Sequence, residues 1–184
     1  MNASSRQGHL WLLTVLVLLL VSEGAVQGQS TEAQDLDARE EQAFKQAAAI
    51  VAPAVVRIQT VGGLDRVGRV LTGTGATTGL VVSADGYVIS SAFNFASRPT
   101  SVLVTLADGR TIPATVVAND RARMLTLLKI PVQGLKPAVI VPRKELRVGQ
   151  WAIALGRTYD SPLPNLSVGI LSALNRVWGR AVQT

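Results

Sequence analysis

Peptide or ester hydrolysis at a side chain needs a nucleophile and a base to take its proton, and this 184-residue chain carries one histidine, His9, and no cysteine. Without cysteine there are no disulfides, no Cys-ligated zinc or iron–sulfur centre, no thiol nucleophile and no lipid-modified N-terminal cysteine. A single histidine forbids a multi-histidine metal cluster, and any His-based triad or dyad would have to use His9 itself. Two other sets of residues could do chemistry. Ser90 or Ser91 with Lys129 would form a Ser/Lys pair, but Lys129 ends an apolar run, where a solvated surface lysine is the ordinary outcome. Asp85, Asp108 and Asp120 are isolated carboxylates that read as turn residues, because Asp bonds its own backbone in turns. No metal and no cofactor is expected from them.

The place of His9 decides much of this. Residues 1–9 are polar with one basic residue, Arg6; residues 10–21 are apolar; Ser22, Gly24, Ala25 and Gly28 then supply small residues that suit a signal peptidase. An apolar run of 12 residues falls short of a bilayer span, which takes about 17 to 25. A cleaved Sec-type export signal over residues 1–28 is therefore expected, cut near Gly28, with no stable membrane anchor. The mature chain would then contain no histidine at all.

Charge divides unevenly along the chain. Residues 29–45 carry a net −3 and residues 46–184 a net +9. Such a basic body could suit an anionic partner. Its lysines and arginines are scattered singly, however, without interleaved aromatics, and nucleic acid is not an expected partner.

The elements that must position these groups follow from texture. With 48% hydrophobic and 16% charged residues, the chain has the make-up of one core-forming domain. Residues 29–53 are rich in Ala, Gln and Glu and predict a short helical lead-in that breaks at Pro53. From Ala54 onward, short β-branched runs alternate with Gly, Pro and Asp-Gly pairs. Asp85-Gly86 and Asp108-Gly109 each separate two such runs and predict hairpin turns, since Gly accepts the positive φ these turns require. Six runs within residues 54–130 make one set. A connector over 131–142 holds Pro131, Pro137 and Pro142, and a second β unit over 143–184 shows two clear strands, too few to close a barrel. An open sheet leaves an unpaired edge, which folded proteins avoid, so the chain is expected to be a fragment or a truncated product.

Gly73-Thr74-Gly75-Ala76-Thr77-Thr78-Gly79 has the glycine content of a phosphate loop but lacks the Gly-Lys-Ser/Thr ending, and it precedes a strand where the loop would join strand to helix. It reads as the glycine-rich approach to a strand. Trp151 and Trp178 read as core or interface aromatics, and Asn165-Leu166-Ser167 fits a glycosylation acceptor.

Taken in order, Gly73-Thr74-Gly75, the run Gly79-Leu80-Val81-Val82-Ser83-Ala84-Asp85-Gly86-Tyr87-Val88-Ile89, the VLVTLADGR stretch ending at Arg110, and Leu125-Thr126-Leu127-Leu128-Lys129-Ile130 resemble the first barrel of HtrA/DegP-type trypsin-like serine proteases. Leu146 through Gly156 and Val168-Gly169-Ile170-Leu171-Ser172-Ala173-Leu174 resemble the opening of that family's second barrel. The resemblance covers about residues 54–176. It implies an all-β, trypsin-like double β-barrel with the first six-stranded barrel complete and the second only begun. It also implies a periplasmic compartment, polypeptide as the partner, and homotrimer formation as a family habit.

The same register places the family's catalytic histidine at Phe93, within Ser90-Ser91-Ala92-Phe93-Asn94-Phe95, and its triad carboxylate at Met124. The nucleophile's Gly-Asn-Ser-Gly-Gly motif would fall beyond Thr184. A phenyl ring takes no proton, and a serine attacks a peptide carbonyl only when a positioned base deprotonates it. Phe93 and Met124 are expected to pack together as an apolar plug, with Phe93, Phe95 and Met124 as the candidate peptide-binding residues. Two function classes follow. One is a pseudoprotease that binds extended or unfolded polypeptide, by strand addition at a sheet edge and in the apolar former cleft. The other is an active serine endopeptidase whose nucleophile lies beyond Thr184 and whose base is unconventional.

Overall fold

The computed structural model describes residues 24–62, 65–67, 70–72, 75–158, 163–176 and 181–184. The export-signal reading, with His9 and most of residues 1–28, falls largely outside them, and so does Trp178. Among the described residues no helix is long and apolar enough to cross a membrane.

Helix α1, Gly24–Val51, begins earlier than the lead-in predicted from residue 29. Gly24 and Gly28 are poor helix formers and carry no start signal. Two exposed i,i+4 pairs, Asp35 with Arg39 and Glu41 with Lys45, run along its surface. It ends at a 3₁₀ turn, Ala52–Ala54, where Pro53 cannot continue the helix.

The strands that follow build the part that matters for function. β1 (Val55–Val61), β4 (Thr77–Val81), β5 (Tyr87–Ser91), β6 (Ser101–Thr105), β7 (Thr111–Asp120) and β8 (Leu125–Lys129) close into an antiparallel barrel in the order β1-β4-β5-β8-β7-β6. These are the six runs expected from the sequence. Between β1 and β4 lies a small hairpin that the pattern did not reveal, β2 (Asp65–Val67) with β3 (Val70–Thr72). Both Asp-Gly turns are where they were expected: Gly86 has φ +98° between β4 and β5, and Gly109 has φ +89° between β6 and β7.

Alternation fills the barrel. Val56 and Ile58 of β1, Val81 of β4, Val88 of β5, Val104 of β6 and Leu128 of β8 are fully or almost fully buried, with Ile130 just past β8. Gly79 is a glycine for a packing reason: a Cβ there would lie 2.5 Å from Ile58 Cδ1 and 2.9 Å from Val88 Cγ1. The proline-bearing connector has no regular structure, yet it is tied to the barrel. Leu135 N donates to Ala84 O at 3.1 Å and Ala138 N to Val81 O at 3.0 Å, and both side chains pack on the core.

The second β unit consists of two pairs: β9 (Trp151–Gly156) with β10 (Asn165–Ile170), and β11 (Ala173–Asn175) with β12 (Ala181–Gln183). It does not close among the described residues. Arg157, just past β9, donates its N–H to Thr78 Oγ1 of the barrel at 2.8 Å. Trp151 is 61% exposed and so is not a core aromatic here.

Candidate functional site

At the end of β5 the chain turns through a short 3₁₀ helix, Ala92–Phe95. Ser91 caps it, its Oγ accepting from Phe93 N at 3.4 Å. In a 3₁₀ turn residues i and i+3 share a face, so Ala92 and Phe95 lie together and Phe93 is turned away from them. Phe95 joins the barrel core at 7% exposure, whereas Phe93 stands 70% exposed.

The second half of the site is the turn from β7 to β8. Asp120 organises it: its Oδ1 accepts from Arg123 N at 3.0 Å and its Oδ2 from Arg123 Nη1 at 2.7 Å. The Arg123 side chain and amide hold the Asp120 carboxyl below its ordinary range. The turn ends at Met124, whose φ is +56°, a left-handed conformation uncommon outside Gly, Asn and Asp. The carbonyl of Met124 accepts from Ala92 N at 2.8 Å, which sews the two halves together.

The positions that the family register assigns to base and carboxylate are therefore neighbours through the backbone. Their side chains do not form the expected plug. Met124 is 52% exposed and Phe93 more so, because the 3₁₀ geometry gives the inward place to Phe95. Beside them lies a cavity of about 320 Å³ lined by Phe95, Ala96, Arg98, Asn119, Arg121 and Met124. The sequence reading missed Arg98, Asn119 and Arg121. Lone arginines in turns carry no motif, and only the fold brings these three together.

The Ser/Lys alternative is not assembled. Ser90 lies opposite Thr126 in the β5–β8 register, while Lys129 lies opposite Tyr87, three register positions along the same pair of strands. Ser90 Oγ is spent on the carbonyl of Thr78 at 2.8 Å. Lys129 Nζ bonds Asp85 Oδ2 at 3.0 Å, also donates to the Asp85 carbonyl, and sits 4.3 Å from the centroid of the Tyr87 ring. Ser83 Oγ, and then Lys129, lower the Asp85 carboxyl from its ordinary value. Asp108 is held low by the Arg110 amide and then its side chain. All three aspartates are thus turn and ion-pair residues. Among the described residues no three His, Cys, Asp or Glu side chains converge to hold a metal ion.

A family model for the trypsin-like peptidase domain matches residues 77–184. A probable periplasmic serine endoprotease, DegP-like, from Halomonas elongata is 31% identical over 105 residues, covering 57% of this chain and 22% of the relative. Another DegP-like protein, from Chlamydia pneumoniae, is 37% identical over 100 residues, 54% of this chain and 20% of its own length. The mitochondrial serine protease HTRA2 of Drosophila pseudoobscura pseudoobscura is 36% identical over 103 residues, 54% of this chain and 23% of its own. The chain spans under a quarter of the length of these curated relatives.

Proposed function

Because this chain belongs to the trypsin-like peptidase family, in its HtrA/DegP-like branch, we propose that it is an exported pseudoprotease that binds extended or unfolded polypeptide without cleaving it. One observation carries the reading: the Ala92–Met124 hydrogen bond joins the two turns to which the family register assigns base and carboxylate, and this chain has Phe93 and Met124 there. Neither side chain can accept a proton at neutral pH. In a protease of another fold, removal of the histidine base alone costs about a million-fold in turnover. The only histidine of the chain lies within the residues read as an export signal.

Two features support peptide binding. Phe93 offers an exposed ring at the former cleft, and aromatic side chains of this kind anchor interfaces. Strand addition has no acceptor in the barrel, which is closed; among the described residues β9 and β10 pair only with each other and keep their outer edges. The alternative of an active endopeptidase is an outcome of the test. Casein incubated with the chain should release no fragments above a blank, and a fluorophosphonate probe should label no serine. Labelling would overturn the pseudoprotease reading. Reduced, unfolded casein should bind saturably, and Phe93→Asp should weaken that binding with the barrel intact; equal binding by the folded variant removes Phe93 from the site.

A further inference from the structure

The cavity beside Met124 is rich in unspent side-chain hydrogen-bond donors and poor in acceptor side chains. Among the described residues neither the Arg98 nor the Arg121 guanidinium has an ion-pair partner, although both line it. The nearby carboxylate, Asp120, is committed to Arg123. Asn119 uses its Oδ1 to accept from the hydroxyl of the buried Thr126 at 2.6 Å, which leaves its amide nitrogen to donate. Three main-chain carbonyls beside the cavity already accept a hydrogen bond. Phe93 O accepts from Ala96 N, Phe95 O from Arg98 N, and Met124 O from Ala92 N. The Arg98 backbone is itself left-handed, with φ +50°, so this arginine is presented by a constrained turn.

From this imbalance we infer that the cavity selects acidic segments of extended polypeptide, taking a Glu or Asp carboxylate between Arg98 and Arg121 while an adjacent apolar side chain lies on Met124 and Phe95. This rests on the polypeptide-binding reading above and names the class of segment bound. Guanidinium pairs recognise a carboxylate through paired, charge-assisted hydrogen bonds, and the Asn119 amide adds a neutral donor. Rim charges of this kind set partner choice more than total affinity, so the signature is preference, not strength.

The test uses the full chain and two fluorescein-labelled unstructured peptides, identical except that a central Leu is flanked by Glu in one and by Lys in the other. The Glu peptide is expected to bind about tenfold more tightly, with the margin shrinking as salt is raised. Arg98→Asn with Arg121→Gln, a pair chosen because Asn tolerates the left-handed backbone at 98, should reduce the preference to below about twofold. Circular dichroism and an unchanged urea midpoint check that the barrel persists, and the single Arg121→Gln variant, in an ordinary backbone position, should already lose part of the preference. Binding of both peptides with equal affinity, or a preference that survives in the folded double variant, overturns this inference and leaves the polypeptide-binding reading standing. Binding of neither peptide by folded protein overturns both. A single-stranded oligonucleotide that displaces the Glu peptide as well as unlabelled Glu peptide does would overturn the assignment to polypeptide.

Discussion

The amide of Ala92 donates to the carbonyl of Met124 at 2.8 Å, so the turn after β5 and the turn before β8 are locked to each other by main-chain atoms alone. The bond does not depend on which side chains follow or precede it. A phenyl ring and a thioether stand on this frame, both largely exposed to solvent. Phe93→His together with Met124→Asp should therefore change stability by no more than about 1 kcal/mol, since both positions are exposed. On the pseudoprotease reading, the same double variant should still fail to hydrolyse casein, because a base without an activated serine has nothing to deprotonate. Measurable hydrolysis would mean that these 184 residues contain a nucleophile after all.

Met124 holds a left-handed backbone that its side chain disfavours. Relief of that strain is worth about 1–2 kcal/mol. Glycine gives back about 0.5–1 kcal/mol in chain entropy. Met124→Gly should thus raise the urea midpoint slightly, and Met124→Val should lower it. A lower midpoint for the glycine variant would count against left-handed strain at this position.

Gly86 should tolerate nothing larger. Its φ is +98°, and a Cβ would lie 2.3 Å from the Ile130 carbonyl oxygen and 2.8 Å from that of Val132. Both contacts are with main chain, so neither can swing aside. Gly86→Ala should cost more than about 2 kcal/mol, read as a fall in thermal midpoint. By contrast Gly109, also left-handed, has open space around its Cβ and should lose less on the same substitution.

Acid should loosen the barrel through its turn aspartates. Asp85, Asp108 and Asp120 all titrate below the ordinary 3.8 in the folded chain. A depressed folded-state value means the folded form binds protons less readily than the unfolded one. Their contribution is fully present above pH 3.8 and disappears as pH falls through the lower folded values. All three carboxylates are solvent-facing, so the effect is modest. Asp120→Asn should flatten the loss of midpoint between pH 5 and pH 3, with the wild type falling more steeply; parallel curves would show that the Asp120–Arg123 pair adds nothing.

The barrel was legible in the sequence because its turn residues are chemically specific. Asp-Gly at 85–86 and 108–109 announces positive φ, and the β-branched runs between such turns have the length of strands. The three-residue strands β2, β3, β11 and β12 were not legible, since they are shorter than any pattern with period two can mark. The start of α1 at Gly24 was hidden by residues that also suit a cleavage site. At the candidate site, the family register pointed to positions 93 and 124 but gave no direction for their side chains. A 3₁₀ turn chose Phe95 over Phe93 for the interior, and a left-handed residue set Met124. Asn119 and Arg121 are close in the chain, but Arg98 reaches them only when β8, with β7 beside it, pairs with β5, a non-local event that no window of sequence contains.

Closure of the barrel makes β1 wait. It pairs with β4 on one side and with β6 on the other, where Arg57 lies opposite Thr105, and β5 finds its second partner only in β8, where Tyr87 lies opposite Lys129. Pairings this distant in the chain slow folding to the millisecond-to-second range. Until Lys129 has left the ribosome, β5 and β7 each present a bare edge, the kind of surface on which nascent chains aggregate. A protein proposed to hold extended polypeptide thus passes through the same vulnerable state on its way to the fold, and Leu125–Lys129 is the strand whose arrival ends it.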